Sequence, residues 1–182
     1  SLRFHFPELA LMPSLFRRLA NYDDPNSYGS RLRAKRARPL LALIAATHAA
    51  RGRCEILDVG GTVAYWRIFP ADELRRLNVR IWLLNLAAAP LPESSADICA
   101  SVGGDACDLS PYRDNHFDIV HSNSVIEHVG AWSSMECMAR EVRRVGRAYY
   151  LQTPYFWFPI EPHYFAPFLH WLPMSLRVKI AM

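Results

Sequence analysis

The stretch Glu55-Ile56-Leu57-Asp58-Val59-Gly60-Gly61 decides how the rest of the chain is read. An apolar run ends in an acid and then in two adjacent glycines. Glycine lets the backbone turn tightly and lets a ligand approach it closely. In open α/β sheets such a turn lies at the carboxyl end of a strand, where ligands bind. The segment therefore reads as a strand entering the loop of a nucleotide-like cofactor site. Similar punctuation recurs downstream: Ile81-Trp82-Leu83-Leu84-Asn85, then Gly104-Asp105-Ala106, then Phe117-Asp118-Ile119-Val120 leading to Glu127-His128-Val129.

Apolar runs predict strands over 54–59, 79–86, 96–102, 117–122 and 147–152. Between them, 62–69 reads as a short helix interrupted by Pro70. Trp132, Met135, Ala139, Val142 and Val145 mark one face of a longer helix, with Gly146 placed to stop it. Strands alternating with helices imply a mostly parallel, doubly wound α/β sheet with helices on both faces. Ahead of it, 7–19 has helical spacing, 21–29 is turn-rich, 30–38 is basic, and 39–50 is a second apolar helix that Pro39 begins. The expected organisation is one domain over 1–182: a helical cap over 1–53, a cofactor-binding core over 54–152, and a tail over 153–182. Aromatics crowd that tail, and Pro159, Pro162 and Pro167 break it, so 155–171 reads as a loop or lid with short helical turns.

Composition bounds the partners. A chain of 182 residues with 51% hydrophobic and 21% charged content is ordinary for a soluble globular protein. Its net charge of +4 owes much to Arg31, Arg33, Lys35, Arg36 and Arg38, which read as one solvated helix face. A short charge run without a recognition motif does not predict a nucleic-acid partner, and no apolar run approaches the roughly 20 residues that span a bilayer. Cys54, Cys99, Cys107 and Cys137 show no CxxC spacing and fit free thiols in a reducing, cytoplasmic setting. The start at Ser1 suggests a processed or engineered end.

A cofactor with adenine, ribose and a charged tail needs four kinds of contact. The loop at 58–62 offers close backbone approach. Asn85 ends the second strand, within reach of ribose hydroxyls. Asp105 is placed to accept an adenine amino group, and the Ala106 N–H to meet a ring nitrogen. Ser122, Asn123 and Ser124 end the fourth strand, beside the reactive end. Each has a plainer reading: Asp58 as a strand-end acid capping a turn, Asp105 and Asn85 as turn formers. The nicotinamide fingerprint G-x-G-x-x-G is not met by Gly60-Gly61-Thr62-Val63-Ala64-Tyr65, and the phosphate loop G-x-x-x-x-G-K-[ST] is missing. Histidines and cysteines offer no metal-ligand spacing, so no metal is expected.

Leu57-Asp58-Val59-Gly60-Gly61, Gly104-Asp105-Ala106 and the run from Phe117-Asp118-Ile119-Val120 through Ser124-Val125-Ile126-Glu127-His128-Val129 resemble the class I S-adenosylmethionine-dependent methyltransferases. Within them the chain is most similar to the small-molecule, type 11 branch that includes ubiquinone-biosynthesis enzymes. Thr153-Pro154, Glu161-Pro162-His163 and His170-Trp171-Leu172-Pro173 also fit tails of that branch, so the resemblance spans about 53–173. It implies a Rossmann-like fold, S-adenosylmethionine as cofactor, and methyl transfer to a small molecule, at oxygen or nitrogen ahead of carbon. Asp58, Gly60 and Gly61 would hold the methionine moiety, Asn85 the ribose, and Asp105 with Ala106 the adenine.

Three departures from the family pattern stand out. Ala64 occupies a third small position of the loop, Asn85 replaces a commoner acid, and Ser124 replaces the first acid of a Glu-x-x-Glu-His metal motif. Candidates for handling a proton are His128, beside Glu127, and His163 in the tail. The family's closing antiparallel strands are expected to be missing, because only 174–182 remain for them. An uncovered sheet edge is prone to pairing, which favours a homodimer. A catalytically inactive cofactor-binding or assembly subunit is the alternative reading.

Overall fold

The computed structural model describes residues 28–153, 160–161 and 166–167. The chain divides into two compact units, Ser1–Leu151 and Gln152–Met182.

The first unit is built on a five-stranded sheet. β1 (Cys54–Val59), β2 (Val79–Asn85), β3 (Cys99–Gly103), β4 (Phe117–Asn123) and β5 (Gly146–Gln152) lie in the order β3-β2-β1-β4-β5. β1 is parallel to both β2 and β4, and β2 is parallel to β3. The strand order reverses between β1 and β4, the topological switch point at which ligands bind in open α/β sheets.

Two helices, α1 (Tyr28–Arg36) and α2 (Arg38–Arg51), precede the sheet. α3 (Val63–Trp66) and α4 (Ala71–Arg76) connect β1 to β2, and α5 (Trp132–Val145) connects β4 to β5. Parallel strands buried on both faces read as unbroken apolar runs, because each face needs its own apolar set. Ile56, Ile81, Leu83 and Ile119 belong to one cluster with Leu40 and Ile44 of α2, Tyr65 and Trp66 of α3, and Leu74 of α4. Their strand neighbours Leu57, Leu84 and Val120 belong to a second cluster with Met138, Val142 and Val145 of α5. The expected doubly wound α/β fold, with helices ahead of the sheet, is what forms.

Local chemistry sets the boundaries. Pro39 lies in the first turn of α2, and Gly52 ends it in a left-handed conformation (φ 74°), its N–H donating to His48 O. Thr62 caps α3 by accepting from the Tyr65 N–H at 3.4 Å. Three expectations need correction. Pro70 does not merely interrupt: it precedes α4, whose first turn carries Asp72 and Glu73 and whose last carries Arg75 and Arg76, the order that suits the helix dipole. Tyr28 and Gly29 are helical rather than part of a turn. On α5 the buried residues are Met138, Val142 and Val145, whereas Trp132 is exposed and donates to Glu136 at 2.9 Å. A stripe at i, i+4 and i+7 follows the helical period, and Trp132 and Ala139 fall outside it.

In the second unit, β6 (Ile160–Glu161) and β7 (Ala166–Pro167) form an antiparallel ladder pairing Ile160 with Pro167 and Glu161 with Ala166. The aromatic tail pattern predicts short helical turns here, and at these four positions an antiparallel pair forms in their place. The expected helix at 7–19, His163, and the final residues 174–182 lie outside the described residues. Among the described residues no helix is long and apolar enough to cross a membrane.

At the amino end of the central strands, Asp118 is buried on β4. It accepts from the Glu55 N–H of β1 at 2.9 Å and pairs with Arg51 Nε at 2.7 Å. Arg51 is exposed and can turn to water, so removing Asp118 chiefly leaves the Glu55 N–H without its acceptor. Asp118→Ala is therefore expected to lower unfolding free energy by about 1–3 kcal/mol. Urea unfolding checks this, with a lower midpoint at unchanged slope. Burial, then Asp118 and Glu55, pushes the Cys54 thiol up to about 12, and burial with Asp58 pushes Cys99 up to about 11. Since thiolate forms only as pH approaches these values, both should resist iodoacetamide at pH 8 in the native protein and react in urea, as read by mass spectrometry.

Candidate functional site

The loop after β1 is organised around a buried carboxylate. Asp58 is 2% exposed. Its Oδ1 lies 2.6 Å from His121 Nδ1 on β4, and its Oδ2 accepts from Trp66 Nε1–H on α3 at 2.7 Å. The sheet register places Asp58 directly opposite His121. Gly60 has φ +69°, and a Cβ there would run into the Val125 methyls. A Cβ on Gly61 would run into the Asp58 carboxylate itself. Both glycines are thus required by space, and Gly60 by conformation as well. The loop is held by Gly60 N–H to Leu84 O at 2.7 Å and Gly61 N–H to Asp58 O at 3.2 Å.

Asn85, half-buried at the end of β2, donates from Nδ2 to Gly61 O at 3.1 Å, so the ends of β1 and β2 are tied together. Its own carbonyl accepts from the Gly104 N–H at 2.8 Å, which carries the connection on to the β3 loop. There Asp105 is exposed, and its Oδ1 accepts from the Cys107 N–H at 2.8 Å. This is the self-closing turn that aspartate favours. Ala106 beside it is half-buried.

On the other side of β1, Ser122 Oγ–H donates to Val59 O at 3.2 Å, and Asn123 is half-buried at the end of β4. Ser124 follows with φ 57°, a conformation uncommon for a residue with a side chain. It turns the chain so that Val125 packs over Gly60. A short 3-10 turn, Ile126–His128, follows, with Glu127 half-buried and His128 exposed. The structure therefore brings Asp58, Gly60, Gly61, Asn85, Asp105, Ala106 and Asn123 to the carboxyl ends of four adjacent strands. His128 stands just beyond Asn123.

Several residues of this site escaped the sequence reading. The His121 ring lies 4.7 Å from the Tyr65 ring, 5.4 Å from Trp66, and is stacked 6.1 Å from Tyr150 of β5. Tyr150 O–H donates to Arg36 O at 3.0 Å, and the Arg33 guanidinium stands 6.0 Å above the Tyr65 ring. The basic helix α1 thus exposes Arg31, Lys35 and Arg36 and turns Arg33 inward. Burial, then the Asp58 charge, holds the Tyr65 hydroxyl well above its ordinary range, so it stays protonated. Tyr65-Trp66 directly after the glycine loop was the available local signal. His121 had none, because its partner lies 63 residues away. Among the described residues no group of three or more His, Cys, Asp or Glu is placed to hold a metal ion.

A family model described as "Methyltransferase domain" matches residues 57–148, half of the 182-residue chain. No curated protein matches it. Among solved structures, the chain is similar to a proposed S-adenosyl-L-methionine-dependent methyltransferase of Methanococcus maripaludis, at 16% identity and TM-score 0.41, over 68% of this chain and 62% of that one. A proposed sarcosine dimethylglycine methyltransferase of Galdieria sulphuraria is 20% identical at TM-score 0.38, over 59% and 44%. A third is the complex of the Haloferax volcanii Trm112 methyltransferase activator with a proposed methyltransferase, 18% identical at TM-score 0.36, over 65% and 55%. The chain thus spans less than two thirds of the length of each of these structures.

Gly61→Ala is expected to destabilise the protein by roughly 1–3 kcal/mol, the usual range for forcing an added methyl into filled space. Urea unfolding measures it. A variant as stable as the parent would show that the carboxylate can move aside.

Proposed function

We propose that this chain, which belongs to the methyltransferase-domain family, binds S-adenosylmethionine across the carboxyl ends of β1 to β4 and methylates a small molecule. One observation carries the reading: Asn85 bridges the glycine loop and the β3 loop through its side chain and backbone. These are the two loops that must grip opposite ends of an extended cofactor. The residues present fit such a group. Gly60, Gly61 and Gly104 let the loop backbones pack closely on Val125, Asp58 and Leu84, while the exposed Asp105 and the half-buried Asn85 and Asn123 put polar groups at the strand ends.

On this reading the Gly60-Gly61 backbone lies against the methionine end, with Asp58 beneath it. Asn85 faces the ribose, and Asp105 with the Ala106 N–H reads the adenine edge. Asn123 stands where the methyl group meets its acceptor. When bound, S-adenosylmethionine supplies an electrophilic methyl group for in-line displacement. The protein's part is chiefly orientation, worth about 7–11 kcal/mol when reactants are well placed. Oxygen and nitrogen acceptors are favoured over carbon because they attack through a lone pair. Where the acceptor must lose a proton, the exposed His128 is the candidate nearest the described crevice, with His163 of the tail the other. We place the activity in the cytoplasm, in keeping with four free thiols, and in a single domain that self-associates through its sheet edge.

Calorimetric titration with S-adenosylmethionine and S-adenosylhomocysteine tests the proposal. Micromolar binding is expected, weakened roughly tenfold by Asp105→Ala, or about 1.4 kcal/mol. A folded parent that binds neither compound would overturn it.

A further inference from the structure

Asp58 sits where a direct ligand of the cofactor's methionine end is expected, yet its carboxylate is directed inward. Each oxygen already accepts a short hydrogen bond, and the residue is 2% exposed. The space above it is Gly61, whose missing side chain is what admits the carboxylate. Loop position and carboxylate position therefore determine each other. If the carboxylate rotates, it meets the Gly61 backbone; if the loop drops, it meets the carboxylate.

Two side chains prevent that rotation. Trp66 donates from the first helical turn after the loop, and α3 fixes its ring between Tyr65 and Phe69. His121 donates from the neighbouring strand. Since a carboxylate oxygen accepts, Nδ1 carries the proton, and among the described residues the buried Nε2 has no hydrogen-bond partner. What His121 offers is a rigid planar ring, held by Tyr65 on one side and Tyr150 on another.

We infer that His121 and Trp66 are positioning residues for the cofactor, acting through Asp58 to hold the Gly60-Gly61 loop in its binding geometry. Asp58 supports the loop from beneath instead of contacting the ligand. This inference rests on the proposed cofactor site and assigns its methionine end to loop backbone.

The test is S-adenosylhomocysteine affinity by calorimetry, with urea unfolding run in parallel, for the full chain and for Trp66→Phe, His121→Leu, His121→Asn and Asp58→Asn/His121→Leu. Trp66→Phe and His121→Leu are expected to weaken binding at least tenfold while remaining folded. His121→Asn, which keeps an N–H donor near Nδ1, should stay within threefold of the parent. Asp58→Asn/His121→Leu should lose no more affinity than His121→Leu alone, because the groups act as one unit. Parental affinity in folded Trp66→Phe or His121→Leu, a loss beyond threefold in folded His121→Asn, or a greater loss in the double variant than in His121→Leu, would overturn the inference while the function stands. If His121→Leu does not fold, Trp66→Phe and His121→Asn decide by their own criteria. A folded parent without affinity would remove both readings together.

Discussion

A carboxylate taken out of water at the end of a central strand has to be answered by donors, because an uncompensated buried charge is among the most expensive features a fold can carry. Asp58 is answered twice, at 2.6 and 2.7 Å, distances typical of charge-assisted bonds. Each donor dictates structure around it. Trp66 can reach Oδ2 only if a helix starts within a few residues of the loop, and the Thr62 cap starts it there. His121 can reach Oδ1 only if β4 lies beside β1 in the register that opposes the two residues. Gly61 must lack a side chain. One charge thus links β1, the loop, α3 and β4 at the switch point of the sheet.

A second buried acid works at the other end of the same strand pair. Asp118 accepts from the Glu55 backbone and pairs with Arg51 at the end of α2. In sequence the two acids look alike, since each follows or opens an apolar run. Their positions along the strands separate them: Asp118 stands at the amino ends, where parallel sheets are merely closed, and Asp58 at the carboxyl ends, where ligands gather. Between them Ile56, Leu57, Ile119 and Val120 supply the apolar contacts to both layers.

This division also explains which features are legible in the sequence. The strands are readable to within about three residues, because a parallel strand buried on both faces is a continuous apolar run bounded by polar or glycine residues. The long helices are readable from their period, although Trp132 shows that apolar character alone does not assign a face. α4 is hidden because Pro70 looks like an ending and is equally suited to a beginning. The candidate ligands at strand ends are visible as a local pattern, and the sheet does gather them. His121 is not visible, since a histidine inside an apolar run reads as core, and nothing local connects it to Asp58.

Asn85 shows how a departure from a family pattern can be understood in physical terms. An acid at this position has oxygens only, and it would face the Gly61 carbonyl oxygen with nothing to donate. The amide puts a donor there, at 3.1 Å, while Oδ1 keeps acceptor capacity for a hydroxyl group. The exchange gives up charge and gains a tie between two loops. That tie matters in this chain because the β1 loop is constrained elsewhere by steric fit, with Val125 over Gly60 and the Asp58 carboxylate under Gly61. A loop clamped above and below by packing still has its Gly61 carbonyl to satisfy, and Asn85 supplies the bond while joining the loop to the next strand. The Asn85 amide and the buried Asp58 clamp are, on this account, two parts of one solution.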